Sequence, residues 1–330
     1  MKAAIIYPGV GTPEYKDAPE PKAQNENEIL VTVKAVAVKQ LDKSIASGKH
    51  YTSDAKREAG QIPGGDGICL LPDGTRVYGM GIGGMMAEKA VIHKNRIVQL
   101  PSTLDDATAA ALPNAVVGAA MGLKLKANIK PGDVVLINGA TGVTGRVAVQ
   151  LAKYYGAQKV IATGRNQHSL AELKSLGADQ TIAITGEDEP FVKQLQDIHQ
   201  ATPISIVIDY LWGHTAELIF SVLKGKEMFT NPISYISVGS MAGDTIQMSS
   251  AVLRSVDLKL MGSGIGSWPQ EHMRRIFTEI LPEALQLAAD GKLKLETVTG
   301  KLADIADLWK QQVAVGKRLV IEPLSNVSLL

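Results

Sequence analysis

At 330 residues the chain exceeds one average domain, and two domains are the natural expectation. Its 34 Lys and Arg nearly balance 33 Asp and Glu, so a net charge of +1 offers nothing electrostatic to nucleic acid or an anionic membrane. A single cysteine, Cys69, excludes an intrachain disulfide and a cysteine-built zinc cage.

Residues 1–8 form too short an apolar run for a signal peptide. No later stretch reads as apolar and uninterrupted enough to span a bilayer, so the expectation is a soluble, cytoplasmic chain without membrane partners. Residues 29–38 form a β-branched run with polar residues interleaved, and 76–79 and 88–92 are shorter strands. Gly/Pro/Asp turns at 62–67 and 71–74 separate them, which is the pattern of a small barrel or sandwich. The character changes at Ser102. Residues 103–112 read as a helix with Asp105 and Asp106 in its first turn, and 114–126 as a second, Ala-rich helix most simply buried in the core.

Lys130-Pro131-Gly132-Asp133 then turns the chain into the apolar run Val134-Val135-Leu136-Ile137. The run ends in Asn138 and breaks into Gly139-Ala140-Thr141-Gly142-Val143-Thr144-Gly145, followed by a helical pattern to Tyr155. Strand, tight glycine turn and helix point backbone N–H groups and a helix dipole at one spot, which suits a pyrophosphate. The pattern is A-x-G-x-x-G. Ala140 requires an opening compatible with a Cβ, Gly142 lets the backbone approach phosphates, and Gly145 lets the helix pack close to the strand. A second apolar run, 159–163, ends in Thr163-Gly164-Arg165-Asn166, where the adenine ribose of a dinucleotide sits in a βαβ unit. An acidic residue there would accept bonds from a free 2′-hydroxyl, whereas the planar fork of Arg165 suits a 2′-phosphate, so NADP(H) is expected over NAD. The alternative is a plain α/β crossover with a surface arginine.

Beyond it strands at 181–184, 204–209, 234–238 and 258–261 alternate with helices at 170–176, 191–198, 215–223 and 270–289, the rhythm of a parallel sheet covered on both faces. The strand ends should complete a cofactor site, with Tyr210 after one strand, Val238-Gly239-Ser240 after the next and glycines at 262–266 after the last. Trp212 and Trp268 are expected to pack. Residues 258–263 read most simply as an interior strand, with pairing across a two-fold axis as the alternative. After Gly291 a short strand at 297–299, a helix over 302–313 and a strand at 318–321 should rejoin the first domain. A β-rich domain of residues 1–113 and 291–330 would thus carry a dinucleotide-binding domain, 114–290, as an insertion.

Several pieces now resemble the medium-chain dehydrogenase/reductase superfamily, and within it the zinc-free quinone oxidoreductase (ζ-crystallin-like) branch. They are the strand and loop Val33 to Asp42 continuing to Ser47-Gly48, the turn Ile62-Pro63-Gly64-Gly65-Asp66-Gly67, residues 129–137 leading into Gly139-Ala140-Thr141-Gly142, Leu176-Gly177-Ala178-Asp179, and Gly316-Lys317-Arg318-Leu319-Val320. The resemblance implies an α/β chain: a GroES-like catalytic domain holding an inserted Rossmann domain, a homodimer, and NADPH-dependent reduction of quinones or α,β-unsaturated carbonyls. Zinc-dependent relatives place a Cys ligand where Lys39 stands and a His ligand near Gly65. Neither ligand type is present here, so no metal is expected.

In the quinone reductase branch the position of Lys39 is usually an Asn facing the nicotinamide. A lysine there either carries positive charge toward a developing enolate or quinol oxygen, or is a solvated replacement of the Asn. Asp42 matches the loop aspartate of the family and either contacts the cofactor or braces the loop. Tyr51 stands where many relatives carry an aromatic above the substrate, as a hydroxyl donor or as a packing lid. On the same frame the resemblance leaves room for a zinc-free alcohol dehydrogenase, an enoyl-thioester reductase, or an NADPH-binding structural protein with little turnover.

Overall fold

The alternation of residues 28–37 organises the first of the two larger sheets. The computed structural model describes residues 1–7, 10–48, 60–225 and 230–324. β1 (Lys2–Ile5) and β2 (Glu14–Asp17) form an antiparallel pair. β3 (Glu28–Ala37) turns Val31 and Val33 inward and leads into helix α1 (Gln40–Ala46). β4 (Asp66–Leu70), β5 (Arg76–Ile82) and β6 (Lys89–Gln99) follow as an antiparallel meander. β6 pairs back onto β3, so these four strands close into a small barrel. Val31, Val33, Cys69, Val77 and Ile92 fill it. Closure leaves these strands no open edge.

One helix, α2 (Asp106–Met121), replaces the two expected on either side of Pro113, and runs on into a π-helical turn, Gly122–Lys126. A proline inside a helix costs about 3 kcal/mol. Here Ala109 to Leu112 and Ala115 and Val116, all buried, offset it on both sides. Contrary to the sequence expectation, 106–126 is long and apolar enough to cross a membrane, but 67% of that apolar stretch is buried inside the protein.

The second sheet is parallel. Its elements are β7 (Val134–Asn138), α3 (Val143–Tyr154), β8 (Lys159–Gly164), α4 (Gln167–Leu173), β9 (Gln180–Ala183), α5 (Asp188–Ala201), β10 (Ile206–Asp209), α6 (Gly213–Leu223), β11 (Ile233–Ser237), α7 (Ser250–Ser255) and β12 (Leu258–Gly262). Spatial order is β12-β11-β10-β7-β8-β9, so the chain moves outward from β7 in one direction and later from β10 in the other. The crevice at the carboxyl ends of β7 and β10 is the topological switch point, where such sheets bind ligands. β12 is an edge strand and exposes Lys259, Leu260 and Gly262, which corrects the reading of 258–263 as interior.

The predicted helix 270–289 is three joined pieces: α8 (Gln270–Arg275), a π turn (Ile276–Ile280) and α9 (Leu281–Ala289). β13 (Glu296–Lys301), α10 (Ile305–Lys310) and β14 (Lys317–Glu322) complete the chain, and β14 pairs with β3, which returns the tail to the first sheet. The helix expected over 302–313 begins as a 3-10 turn (Leu302–Asp304) and ends at Lys310, because Leu302, Ile305 and Trp309 are its buried anchors and residues 311–312 face solvent. By contacts the chain divides into Met1–Asn114 with Phe277–Leu330, and Ala115–Ile276. The second crossing lies at the π turn rather than at 290/291, since α9 packs against β6 of the barrel unit.

Candidate dinucleotide and acid–base site

Within the unit Ala115–Ile276 the glycine turn has the geometry its spacing implies. β7 is buried at every position and delivers Asn138 to the switch point. Gly139 takes φ +86, so the left-handed residue is the one before Ala140, and the Ala140 side chain is fully buried without obstructing the turn. A Cβ on Gly145 would lie 2.5 Å from Ala140 Cα and 2.6 Å from Gly139 O, which enforces glycine where α3 meets the strand. Nothing lies within 4 Å of a Cβ built on Gly142, the N-cap of α3, so the backbone there is open to a ligand. Thr141, Val143 and Thr144 are half-buried around it. A pyrophosphate fits this cradle of N–H groups.

Arg146, which sequence reasoning passed over, is buried on the first turn of α3. Its Nε donates to Thr141 O at 3.1 Å, and its guanidinium pairs with Glu172, so it braces the turn from behind. At the end of β8, Thr163 and Gly164 are buried and Arg165 is exposed, as a residue must be to meet a ribose phosphate. The Asn166 side chain is engaged elsewhere, since its Oδ1 accepts the Ser169 amide at 2.8 Å and caps α4.

The ends of β10 and β11 converge beside the turn. Tyr210 N donates to Asn138 O, and Val238 N and Gly239 N both donate to Asp209 O. Ser240 is exposed just beyond. Tyr210 is buried with its hydroxyl unpartnered, and burial pushes that phenol's pKa well up. Beneath lies a fully buried carboxylate. Asp209 accepts bonds from Asn138 Nδ2 (2.7 Å), Tyr235 Oη (2.6 Å), Leu211 N (2.8 Å) and Trp212 N (3.1 Å). Burial raises its pKa, and the bonds from Tyr235, Leu211, Trp212 and Asn138 pull it back. Trp212 sits at φ 57 and ψ −154, a region costly for any side chain, held by this carboxylate and by edge-on packing against Phe220 and Tyr235. It packs, as expected; Trp268 lies under the Lys126 ammonium, 4.3 Å from its ring centroid.

In the barrel unit, Lys39 departs from both sequence readings. It is neither solvated nor free to face a substrate, being 3% exposed and ion-paired with Asp66, with Asp42 Oδ2 at 3.5 Å. Asp42 also accepts the Lys39 amide at 2.8 Å, so the carboxylate braces the start of α1. Tyr78 Oη donates to Asp66 at 3.0 Å, and buried Arg318 from β14 feels both carboxylates. Burial pushes the Lys39 pKa down, but Asp42 and Asp66 outweigh it and the net shift is upward. Burial raises the Asp42 carboxyl, only partly countered by Lys39. The sequence brought Asp66 and Arg318 to notice in family-like turns but gave them no role. Tyr51 lies outside the described residues. Among the described residues no three His, Cys, Asp or Glu side chains stand close enough to share a metal ion.

The family described as zinc-binding dehydrogenase matches residues 143–281. A quinone oxidoreductase-like protein 2 homologue of Nematostella vectensis is 30% identical over 232 residues, 70% of this chain and 60% of that protein's length. A protein of Emericella nidulans, described as a probable NADPH-dependent quinone reductase, is 24% identical over 354 residues, covering 94% of this chain and 96% of that one. The quinone oxidoreductase of Thermus thermophilus, solved also with NADPH, shares the fold at a TM-score of 0.75 and 22% identity, over 98% of this chain and all of that one.

Proposed function

We propose that this chain, a member of the quinone oxidoreductase branch of the medium-chain dehydrogenase/reductase superfamily, is an NADPH-dependent reductase of quinones or α,β-unsaturated carbonyls that works without zinc. The observation that carries the reading is the turn itself: left-handed Gly139, open Gly142 and close-packed Gly145 at the switch point, with Arg165 exposed at the end of β8. Residues 139–145 would hold the pyrophosphate, Thr163 to Asn166 with Arg165 the ribose and its 2′-phosphate, and Tyr210 and Val238–Ser240 the rest of the cofactor. Bound NADPH supplies a hydride, and a proton from solvent or protein balances the reduced acceptor. The protein's own share is to orient the acceptor, exclude water and place a donor near the oxygen that gains charge. Lys39 is not given that role, because its ammonium is committed to Asp66 and Asp42. Tyr51 remains the proposed hydroxyl donor.

The test is stopped-flow NADPH oxidation across quinones, 2-alkenals and enoyl thioesters. Turnover with quinones or alkenals supports the reading. Turnover confined to enoyl thioesters, or tight NADPH binding with no turnover, overturns it. A homodimer in the cytoplasm is proposed with it. The open edge of β12, where Leu260 is 39% exposed, would pair with its copy, and light scattering reads the resulting mass.

A further inference from the structure

Four adjacent parallel strands carry side chains that bond to one another in spatial order. Tyr235 on β11 donates to Asp209 on β10, which accepts Asn138 Nδ2 from β7. Asn138 Oδ1 accepts the Thr163 hydroxyl of β8 at 2.7 Å, and the Thr163 hydroxyl oxygen in turn accepts the Gly139 amide at 3.2 Å. All four side chains are fully buried. The polarity leaves one arrangement. Asp209 is the only anion of the chain of bonds, so the Asn138 NH2 must face it, its carbonyl must face Thr163, and the Thr163 oxygen is left to accept from Gly139. Each bond is polarised toward the carboxylate, and such chains strengthen cooperatively where solvent is excluded. Their far end is Gly139, the left-handed residue on which the phosphate turn pivots.

We propose that Tyr235, two strands away from the phosphate turn, is a positioning residue for dinucleotide binding, acting through Asp209, Asn138 and Thr163 on the Gly139 amide. The inference rests on the cofactor reading above. Tyr235 secures one oxygen of Asp209, so the other stays directed at Asn138. Its ring stacks on Phe220 at 4.5 Å between centroids, and phenylalanine preserves that packing while deleting the hydroxyl.

The experiment uses the full chain as Tyr235→Phe, Thr163→Val, Thr163→Ser and the double Tyr235→Phe/Thr163→Val. NADPH affinity is read by fluorescence titration and Gly139 exchange by amide hydrogen exchange without cofactor. Tyr235→Phe should weaken NADPH roughly threefold to tenfold and Thr163→Val by more, both with faster Gly139 exchange. Thr163→Ser, which restores the hydroxyl, should return to within about twofold of the parent, and the double variant should bind no more weakly than Thr163→Val alone. Parent-like affinity and Gly139 exchange in Tyr235→Phe, or losses that multiply in the double variant, would overturn the inference. A parent that binds neither NADPH nor NADH overturns instead the function on which the inference rests.

Discussion

Replacing Lys39 with Met tests the buried charge cluster. The change removes the ammonium that faces Asp66 and Asp42 and leaves Arg318 as the remaining cation of the cluster. The Lys39 and Asp42 side chains are buried, so solvent replaces little of the lost partner. Breaking a buried ion pair from one side costs about 3–5 kcal/mol, a large share of the roughly 5–15 kcal/mol that holds a domain folded. At about 2–4 °C per kcal/mol, the melting temperature should fall by roughly 6–20 °C at pH 7. The pH dependence has a definite sign. The folded pKa of Lys39 lies above 10.5, so its contribution is complete below that pH and is lost as pH rises through the folded value. The parent should therefore shed stability in strong alkali by a route the variant lacks. In acid the gap should narrow. The Asp42 carboxyl already titrates above 3.8 and rises further without Lys39, so protonation relieves the variant as pH falls toward that value. Thermal melts of both proteins from pH 4 to 11 measure this. A variant melting within about 2 °C of the parent at pH 7, or a gap that does not narrow in acid, would show that the Lys39 ammonium does not stabilise the cluster.

Gly145→Val places a side chain where Ala140 Cα stands only 2.5 Å from the Cβ, so NADPH binding should vanish, measured by titration alongside circular dichroism to confirm folding. Retained tight binding in a folded variant would reduce the motif to an ordinary turn. Arg165→Ala should weaken NADPH about tenfold to a hundredfold, the worth of roughly 1.5–3 kcal/mol for a charge-assisted bond, and leave NADH nearly unchanged. Equal losses for both cofactors would remove Arg165 from the 2′-phosphate. Metal analysis of purified protein should find far less than one zinc per chain, and a stoichiometric value would contradict the zinc-free proposal.

What the sequence determined by itself was local. Strand, glycine turn and helix at 134–154 were legible because each step is set by neighbouring residues: β-branched apolar positions, a glycine able to take φ +86, and a small residue at the helix contact. The alternation of 28–37 was legible for the same reason. Tertiary structure decided the rest. The order of strands, not the pattern of 258–262, made β12 an edge. Pro113 lies within one helix because apolar burial on both sides outweighs a local penalty. Lys39 looked like a cation available to a substrate, yet its meaning depends on Asp66, Tyr78 and Arg318, which lie far along the chain on three other strands. The bonds from Tyr235 to Gly139 likewise need four strands brought side by side. Charge pairing and hydrogen bonding depend on distance in space, and only the folded chain sets that distance.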